Sequence, residues 1–245
     1  MDTNEELRAG WDALAEDWIA RMENPGDPYR VGLLDAWMLD AVGDVAGLDV
    51  IDLGCGEGRF GRMLAERGAV VTGVDACARF IEYANAQRSS GERYIVGDMQ
   101  DLAAIEPERF DLAVSYVTLC DVPDHRRAIA EAARVLRPGG RFVACNLQPM
   151  NTAGNGWIKC GKDKLHFKLD NYFDEGPRDM PLCGHPQTNF HRTLSNYVDA
   201  FLDAGFAIEG LREPKPFPEQ LARYPEVSDN LRVPYFMIWL LRKAA

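Results

Sequence analysis

Val50-Ile51-Asp52-Leu53-Gly54-Cys55-Gly56-Glu57-Gly58-Arg59-Phe60 joins a short apolar run to three glycines spaced two apart. Without side chains at 54, 56 and 58 the backbone can turn sharply on leaving a strand, and a flat ligand can lie against bare main chain where the next helix begins. A dinucleotide-binding loop carries its third small residue three positions after the second glycine, and here Arg59 stands there. The spacing is G-x-G-x-G.

Around this stretch, Asp49–Leu53, Val70–Asp75, Tyr94–Asp98, Leu112–Tyr116 and Arg141–Asn146 are short apolar runs bounded by Gly, Asp or Pro. Segments with helical spacing, such as Ile129, Ala132, Ala133 and Leu136, separate them. Strands buried on both faces and joined by helices require right-handed crossovers and an open parallel sheet. Ligands of such sheets bind beyond the carboxyl ends of the strands, near the switch point. Further on, Leu194, Tyr197, Val198, Phe201 and Leu202 form a helical stripe that Gly205 stops. Phe206–Arg212 and Pro234–Arg242 then read as two strands linked by a Pro-rich stretch. No helix with room for a parallel crossover lies between them, so the last strand is expected to run antiparallel.

The flanks differ from this core. Leu7, Trp11, Leu14, Trp18 and Met22 share one helix face; Asn24-Pro25-Gly26-Asp27-Pro28 breaks it, and Leu33, Leu34, Trp37, Met38 and Ala41 make a second amphipathic face. From Leu147 to Arg192 the chain is irregular, rich in Gly, Asn, Lys and aromatics, and too long for a plain connection, which points to a lid or binding insertion. One domain over 1–245 is expected: a helical cap over 1–45, a core over 46–146, the insertion over 147–192 and a closing helix with strands over 193–245.

At 47% hydrophobic and 27% charged, 245 residues are enough for an independent core. The net charge of −11 repels phosphate backbones, so nucleic acid is not an expected partner. No run of about 18 uncharged apolar residues occurs, and the first twenty residues carry acids where a secretory signal would carry bases. A cytoplasmic protein with no membrane partner is the expectation. Six cysteines without a C-x-x-C pair argue for reduced thiols and against zinc or a disulfide framework. No metal is expected.

Acids recur at strand ends: Asp52 within the first, Asp75 after the second and Asp98 after the third. One carboxylate can accept from both hydroxyls of a ribose, and an adenine amino group is a donor suited to another. With these residues the chain resembles the class I S-adenosylmethionine-dependent methyltransferases of the small-molecule, type 11-like group. Asp52 through Gly58 is similar to the family's first motif, Gly73-Val74-Asp75 to its second, Gly97-Asp98-Met99 to its third, Phe110-Asp111-Leu112 through Tyr116 to its fourth, and Arg134 through Gly140 to the segment before its fifth strand. The likeness covers about residues 30–212. It implies an α/β, Rossmann-like, seven-stranded and mostly parallel sheet with the last strand antiparallel. It also implies S-adenosylmethionine as cofactor and S-adenosylhomocysteine as product.

The expected cofactor residues are Gly54, Cys55 and Gly56 of the loop, Asp75 with Ala76 on the ribose side, Asp98 and Met99 at the adenine, and Ser115 at the end of the fourth strand. Asp52 either orients the loop by accepting backbone N–H bonds, the favoured role, or reaches the cofactor's amino group. Arg30 could clamp the methionyl carboxylate and Tyr29 close over the sulfonium; the plainer alternative is a solvated Arg beside a Tyr packed on the core. Tyr116, His185 and His191 are the candidate catalytic groups, a histidine near pKa 6.5 being able to remove an acceptor's proton. Each histidine taken alone is more readily a surface or hydrogen-bonding residue than a catalytic one, and His125 is expected to face solvent. Among the insertion's aromatics, Tyr172 and Phe173 are the expected pocket walls.

The expected reaction is methyl transfer to oxygen or nitrogen of a small-molecule acceptor. The alternatives are carbon methylation or another use of the same cofactor, and a non-catalytic adenosyl-ligand-binding protein. A nicotinamide enzyme is disfavoured by Arg59. A homodimer is compatible with this reading.

Overall fold

The computed structural model describes residues 3–23 and 26–245, so the expected break at Asn24 and Pro25 lies outside the described residues. Helix α1 (Thr3–Glu23) comes first, and after it a π-helical turn (Arg30–Leu34) runs directly into α2 (Asp35–Val42). The core alternates β1 (Asp49–Leu53), α3 (Arg59–Ala65), β2 (Val70–Asp75), α4 (Ala78–Gln87), β3 (Glu92–Val96), β4 (Phe110–Tyr116), α5 (His125–Val135) and β5 (Leu136–Leu147). The insertion holds α6 (Pro149–Thr152), β6 (Gly154–Cys160), β7 (Asp163–Leu169), β8 (Gly176–Asp179) and β9 (Thr188–His191). The chain closes with α7 (Leu194–Asp203), β10 (Phe206–Arg212), α8 (Pro218–Arg223), a 3-10 turn (Pro225–Leu231) and β11 (Phe236–Lys243).

Seven strands form one sheet in the order β10-β11-β5-β4-β1-β2-β3. β1 pairs in parallel with both β2 and β4, while β11 is antiparallel to β5 and β10. The antiparallel last strand expected from the missing crossover is present. Because the chain winds outward from β1 through β2 to β3 and then returns to β4 on the other side, the switch point lies between the carboxyl ends of β1 and β4. The glycine loop starts there.

Alternation along the strands sends neighbouring side chains to opposite faces, and both are buried. Ile51, Leu53, Ala113, Phe142 and Trp239 pack with Ile129, Tyr197 and Phe201 of α5 and α7. Val50, Leu112, Val114, Val143 and Ile238 pack with Met38, Phe60 and Leu64 of α2 and α3. Helix α1 stands apart from both layers: Leu14, Ala15, Trp18, Ile19 and Met22 rest on Cys77 and Phe80 at the start of α4. It therefore crosses the sheet's carboxyl edge instead of covering a face. None of the described helices is long and apolar enough to cross a membrane.

The insertion is more regular than its composition suggests. Two antiparallel hairpins, β6–β7 and β8–β9, form outside the main sheet. Their glycines and mixed polarity hide the period-2 signal, and in β6–β7 register shifts between Gly154 and Trp157 and between Ile158 and Lys159 break it further.

Gly54 sets the direction of the loop. It has φ +71°, and a Cβ there would lie 2.1 Å from Cγ2 of Thr118, which follows β4. Gly54→Ala should lower the unfolding free energy by about 1–3 kcal/mol through left-handed strain and this clash, measured by urea denaturation. An unchanged midpoint would show that the loop does not need this close approach.

Candidate active site

Asp75 organises the switch point. Its Oδ2 accepts from the Gly56 N–H at 2.8 Å and its Oδ1 from the Cys77 N–H at 2.9 Å, so one carboxylate joins the glycine loop to the start of α4. Two more N–H groups, of Gly54 and Cys55, donate to the Val74 carbonyl. Gly56 has φ +54° and no heavy atom within 4 Å of where a Cβ would be, which leaves its backbone facing open cleft. Burial raises the Asp75 carboxyl to about 6, against the pull of those two amide donors and with the nearby charge of Glu57 adding to it.

Asp52 behaves differently from the favoured expectation. Both of its oxygens are buried and lack a partner, so it accepts no backbone N–H from the loop; Asp75 has taken that role. Burial pushes Asp52 up to about 7, with the charges of Asp75 and Glu57 adding to the rise and Arg30 opposing it. A carboxylate in this position is unsatisfied until a cation or donor reaches it.

The cleft runs from Asp98 to Arg30. At one end it is lined by Asp75, Ala76, Asp98 and Met99, with Thr118 and Asp121 opposite; at the other by Arg30, Asp52, Cys55, Glu57 and Tyr116. Gly54, Gly56 and Trp18 line both ends, so the two are continuous. Asp98 accepts from the Gln100 backbone and side chain at 2.8 and 3.0 Å. Trp18 of α1 donates to Glu57 at 3.2 Å, latching that helix over the loop. Arg30 donates to the Tyr116 carbonyl at 2.9 Å, and its guanidinium carbon lies 4.6 Å from the Tyr116 ring centroid. Ser115, fully buried, has an unpartnered hydroxyl.

Arg59, which separates this loop from a dinucleotide fingerprint, forms a bidentate pair with Asp35 at 2.7 and 2.8 Å. The Tyr116 hydroxyl donates to the same Asp35 at 2.9 Å, and burial holds that phenol well above its ordinary pKa. Arg59 thus ties α3 to α2.

A second cavity of about 670 Å³ lies under the insertion, lined by Tyr29, Leu147, Trp157, Phe167, Asn189, Tyr235 and others. Tyr29 and Arg30, adjacent in sequence, face different spaces: Tyr29 packs 5.8 Å from Phe236 in this cavity, while Arg30 points into the glycine-loop cleft. Asn189 lines the cavity and its amide donates to Asp121 of the cleft. Burial raises Asp121 to about 7, with Cys120, Arg30 and Asn189 opposing the rise.

The candidate catalytic groups do not come together. Tyr116 is in the cleft, but His185 pairs with Asp17 of α1 at 2.9 Å, and His191 is fully buried. His191 donates through Nε2 to the Tyr172 carbonyl at 2.8 Å and its Nδ1 is hydrogen-bonded to the Thr152 hydroxyl at 2.6 Å, so both ring nitrogens are engaged. His125 is buried against Asn196 and lowered to about 4 by burial, in place of the expected solvent exposure. Phe173 is 87% exposed and does not line the cavity under the insertion. Among the described residues no cluster of His, Cys, Asp or Glu could hold a metal.

A model of the methyltransferase domain matches residues 51–144, from β1 to β5. An S-adenosylmethionine-dependent methyltransferase from Mesorhizobium loti superposes with a TM-score of 0.76 at 32% identity, over 85% of this chain and 96% of that one. The chain belongs to the S-adenosylmethionine-dependent methyltransferases. A ubiquinone biosynthesis O-methyltransferase of Pseudomonas syringae pv. tomato is 33% identical to this methyltransferase over 58% of the chain; the alignment spans 63% of that relative, under two thirds of its length. The CcbJ methyltransferase from Streptomyces caelestis, at 19% identity and TM-score 0.65, shares the fold over 96% of this chain.

The methyltransferase's cofactor, S-adenosylmethionine, suits the cleft chemically. Its sulfonium and ammonium are cations, and the cleft holds carboxylates short of counter-charge; its ribose and adenine are donors, and the strand tips offer acceptors. Residues that sequence reasoning passed over also face this space: Trp18, Glu57, Thr118 and Asp121. Trp18 was hidden in a core-like helical stripe. Extending the pattern of acids beyond strand tips to the fourth strand would have found Asp121.

The Asp52 shift has a thermodynamic sign. A folded carboxyl at about 7 keeps a proton that the unfolded chain, with an ordinary value of 3.8, has lost, so folding stability falls as pH rises from about 4 through 7. Asp52→Asn removes that loss. The cofactor-free variant should be more stable than the parent by roughly 2–4 kcal/mol near pH 8 and by about half of that or less near pH 5. Thermal unfolding at the two pH values measures this, and an advantage independent of pH would contradict a buried, unpaired carboxylate.

Proposed function

We propose that this methyltransferase acts on an oxygen or nitrogen atom of a small-molecule acceptor held in the cavity under the insertion. The observation that carries the reading is the nearness of two spaces: a polar, carboxylate-rich cleft at the switch point and an aromatic-walled cavity of about 670 Å³ whose linings meet through the adjacent residues Tyr29 and Arg30 and through the hydrogen-bonded pair Asn189 and Asp121. That volume lies in the range of small-molecule sites.

In this reading Asp75 accepts from the ribose hydroxyls, Asp98 faces the adenine amino group beside Met99, and the bare backbone from Gly54 to Gly56 receives the cofactor closely. Ala76 and Cys55 complete these walls, and Ser115 supplies a hydroxyl from beneath. Asp52 meets the amino group and Arg30 the carboxylate of the methionyl end. When bound, the cofactor supplies an electrophilic methyl group. The protein's contribution is alignment and exclusion of water, and positioning of this kind can lower a barrier by roughly 7–11 kcal/mol. Tyr116 acts by position: its ring and carbonyl hold Arg30, and its hydroxyl holds Asp35.

Where the acceptor must lose a proton, Asp121 is better placed than the histidines. It lines the cleft and touches Asn189 of the cavity wall, whereas His185 is paired with Asp17 and His191 has no free nitrogen. A base that works when deprotonated makes kcat/KM rise with pH through about 7. Asp121→Asn should flatten that limb and lower kcat by about 10²–10⁴-fold with cofactor affinity kept; an unaltered pH profile would remove Asp121 from the chemistry.

The reading itself is tested with cofactor carrying a ¹³C-methyl group. Incubated with the small-molecule and the macromolecular fractions of a cell extract, the enzyme should transfer label into the former only, at the chemical shift of an O- or N-methyl. Label on carbon or on macromolecules would overturn it. Binding without release of S-adenosylhomocysteine in any fraction would support a ligand-binding protein instead.

A further inference from the structure

Four of the chain's six lysines, Lys159, Lys162, Lys164 and Lys168, fall within ten residues. All four belong to the β6–β7 hairpin of the insertion. Elsewhere the basic residue is nearly always arginine, and much of its charge is neutralised in place: Arg21 by Asp27, Arg59 by Asp35, Arg126 by Asp203, Arg137 by Asp49 and Asp111. Among the described residues only Lys164 of the hairpin's lysines has a carboxylate, Asp229 at 2.5 Å. Lys159, Lys162 and Lys168 are exposed and form no ion pair among the described residues. Four lysines less Asp163 leave the hairpin Gly154–Leu169 at +3 in a chain of net −11, and Asp170, Asp174 and Glu175 follow it directly, so the positive charge is confined to the hairpin itself.

Apolar side chains are interleaved with these lysines. Ile158 is 41% exposed, Leu165 51% and Leu169 48%, and Phe173 just beyond the hairpin is 87% exposed. Unpaired ammonium groups on long apolar stems, in the same hairpin as exposed Ile158, Leu165 and Leu169 and shortly before exposed Phe173, match the boundary of a bilayer with anionic headgroups. There the charge meets phosphate while stems, Leu, Ile and Phe enter the acyl margin.

We propose that the β6–β7 hairpin is a peripheral docking surface for an anionic lipid bilayer. A nucleic acid would gain nothing from the exposed apolar side chains, and its extended charge would be repelled by the acidic body. The sequence-based expectation of no membrane partner rested on the lack of an apolar span, and surface docking needs none. Trp157 and Phe167 of the same hairpin line the cavity under the insertion, so a docked enzyme would take apolar acceptors from the lipid phase. That last consequence rests on the proposed acceptor site; the docking does not.

Flotation of the full-length protein with vesicles tests it. Vesicles of phosphatidylcholine containing phosphatidylglycerol should carry the protein at low salt and release it at high salt, and phosphatidylcholine alone should not carry it. Each lysine near an anionic surface is worth about fivefold in partitioning, so replacing Lys159, Lys162 and Lys168 together by Gln should weaken it about a hundredfold. Phe173→Ser should weaken it severalfold. Cofactor affinity, measured by calorimetry, should be unaltered in both variants, which separates lost docking from lost folding. No flotation with anionic vesicles, or equal flotation of the triple variant, would overturn the proposal. So would retention on heparin together with indifference to Phe173→Ser, which would mark a soluble polyanion or acidic protein as the partner. The labelled-methyl experiment reads the acceptor assignment separately, so either can fail without the other.

Discussion

Negative charge held at the tips of a parallel sheet with too little positive charge to balance it is the constraint around which this molecule is arranged. Asp52, Asp75 and Asp121 are all raised toward neutrality by burial, and Arg30 is the cation that opposes the rise at both Asp52 and Asp121. A site in this state is costly to keep ionised and becomes favourable when a cation enters. The topology makes it unavoidable, because the switch point brings the ends of β1, β2 and β4 to one edge, and an acid lies at or just beyond each.

What surrounds that edge serves to hold it open and shaped. Asp75 is spent on two backbone donors, which fixes the loop without a side chain at Gly56. The Arg59–Asp35–Tyr116 group locks α2, α3 and β4 together on one flank, and Trp18 with Glu57 brings α1 across the top. Arg59 is thus a strut where a nicotinamide-binding loop would need a small residue. Partly buried pairs of this kind contribute more by fixing geometry than by net stability.

The charge pattern divides the surface in two. Several arginines of the body, among them Arg21, Arg59, Arg134 and Arg137, are bound to neighbouring acids, which suits a planar, multidentate cation. Of the insertion's lysines, Lys159, Lys162 and Lys168 are exposed and form no ion pair among the described residues, and Lys164 pairs with Asp229. The net charge of −11 therefore hides a local reversal of sign in the β6–β7 hairpin, which composition alone averages away.

The β1 and β2 boundaries, the two terminal strands, the antiparallel ending and the acids of the first three strand tips were legible from local pattern, because a strand buried on both faces and a G-x-G-x-G turn leave marks within ten residues of themselves. The hairpins of the insertion were not, since glycines and a register shift erase their alternation. Burial of His125 and His191, the unpartnered state of Asp52 and the parting of Tyr29 from Arg30 into separate spaces were decided by contacts between residues far apart in the chain. Local chemistry determines what a side chain can do, and it was enough to name the fold and the cofactor. Which groups are left without partners, and therefore available to a ligand, depends on long-range packing, and only the tertiary structure decided it.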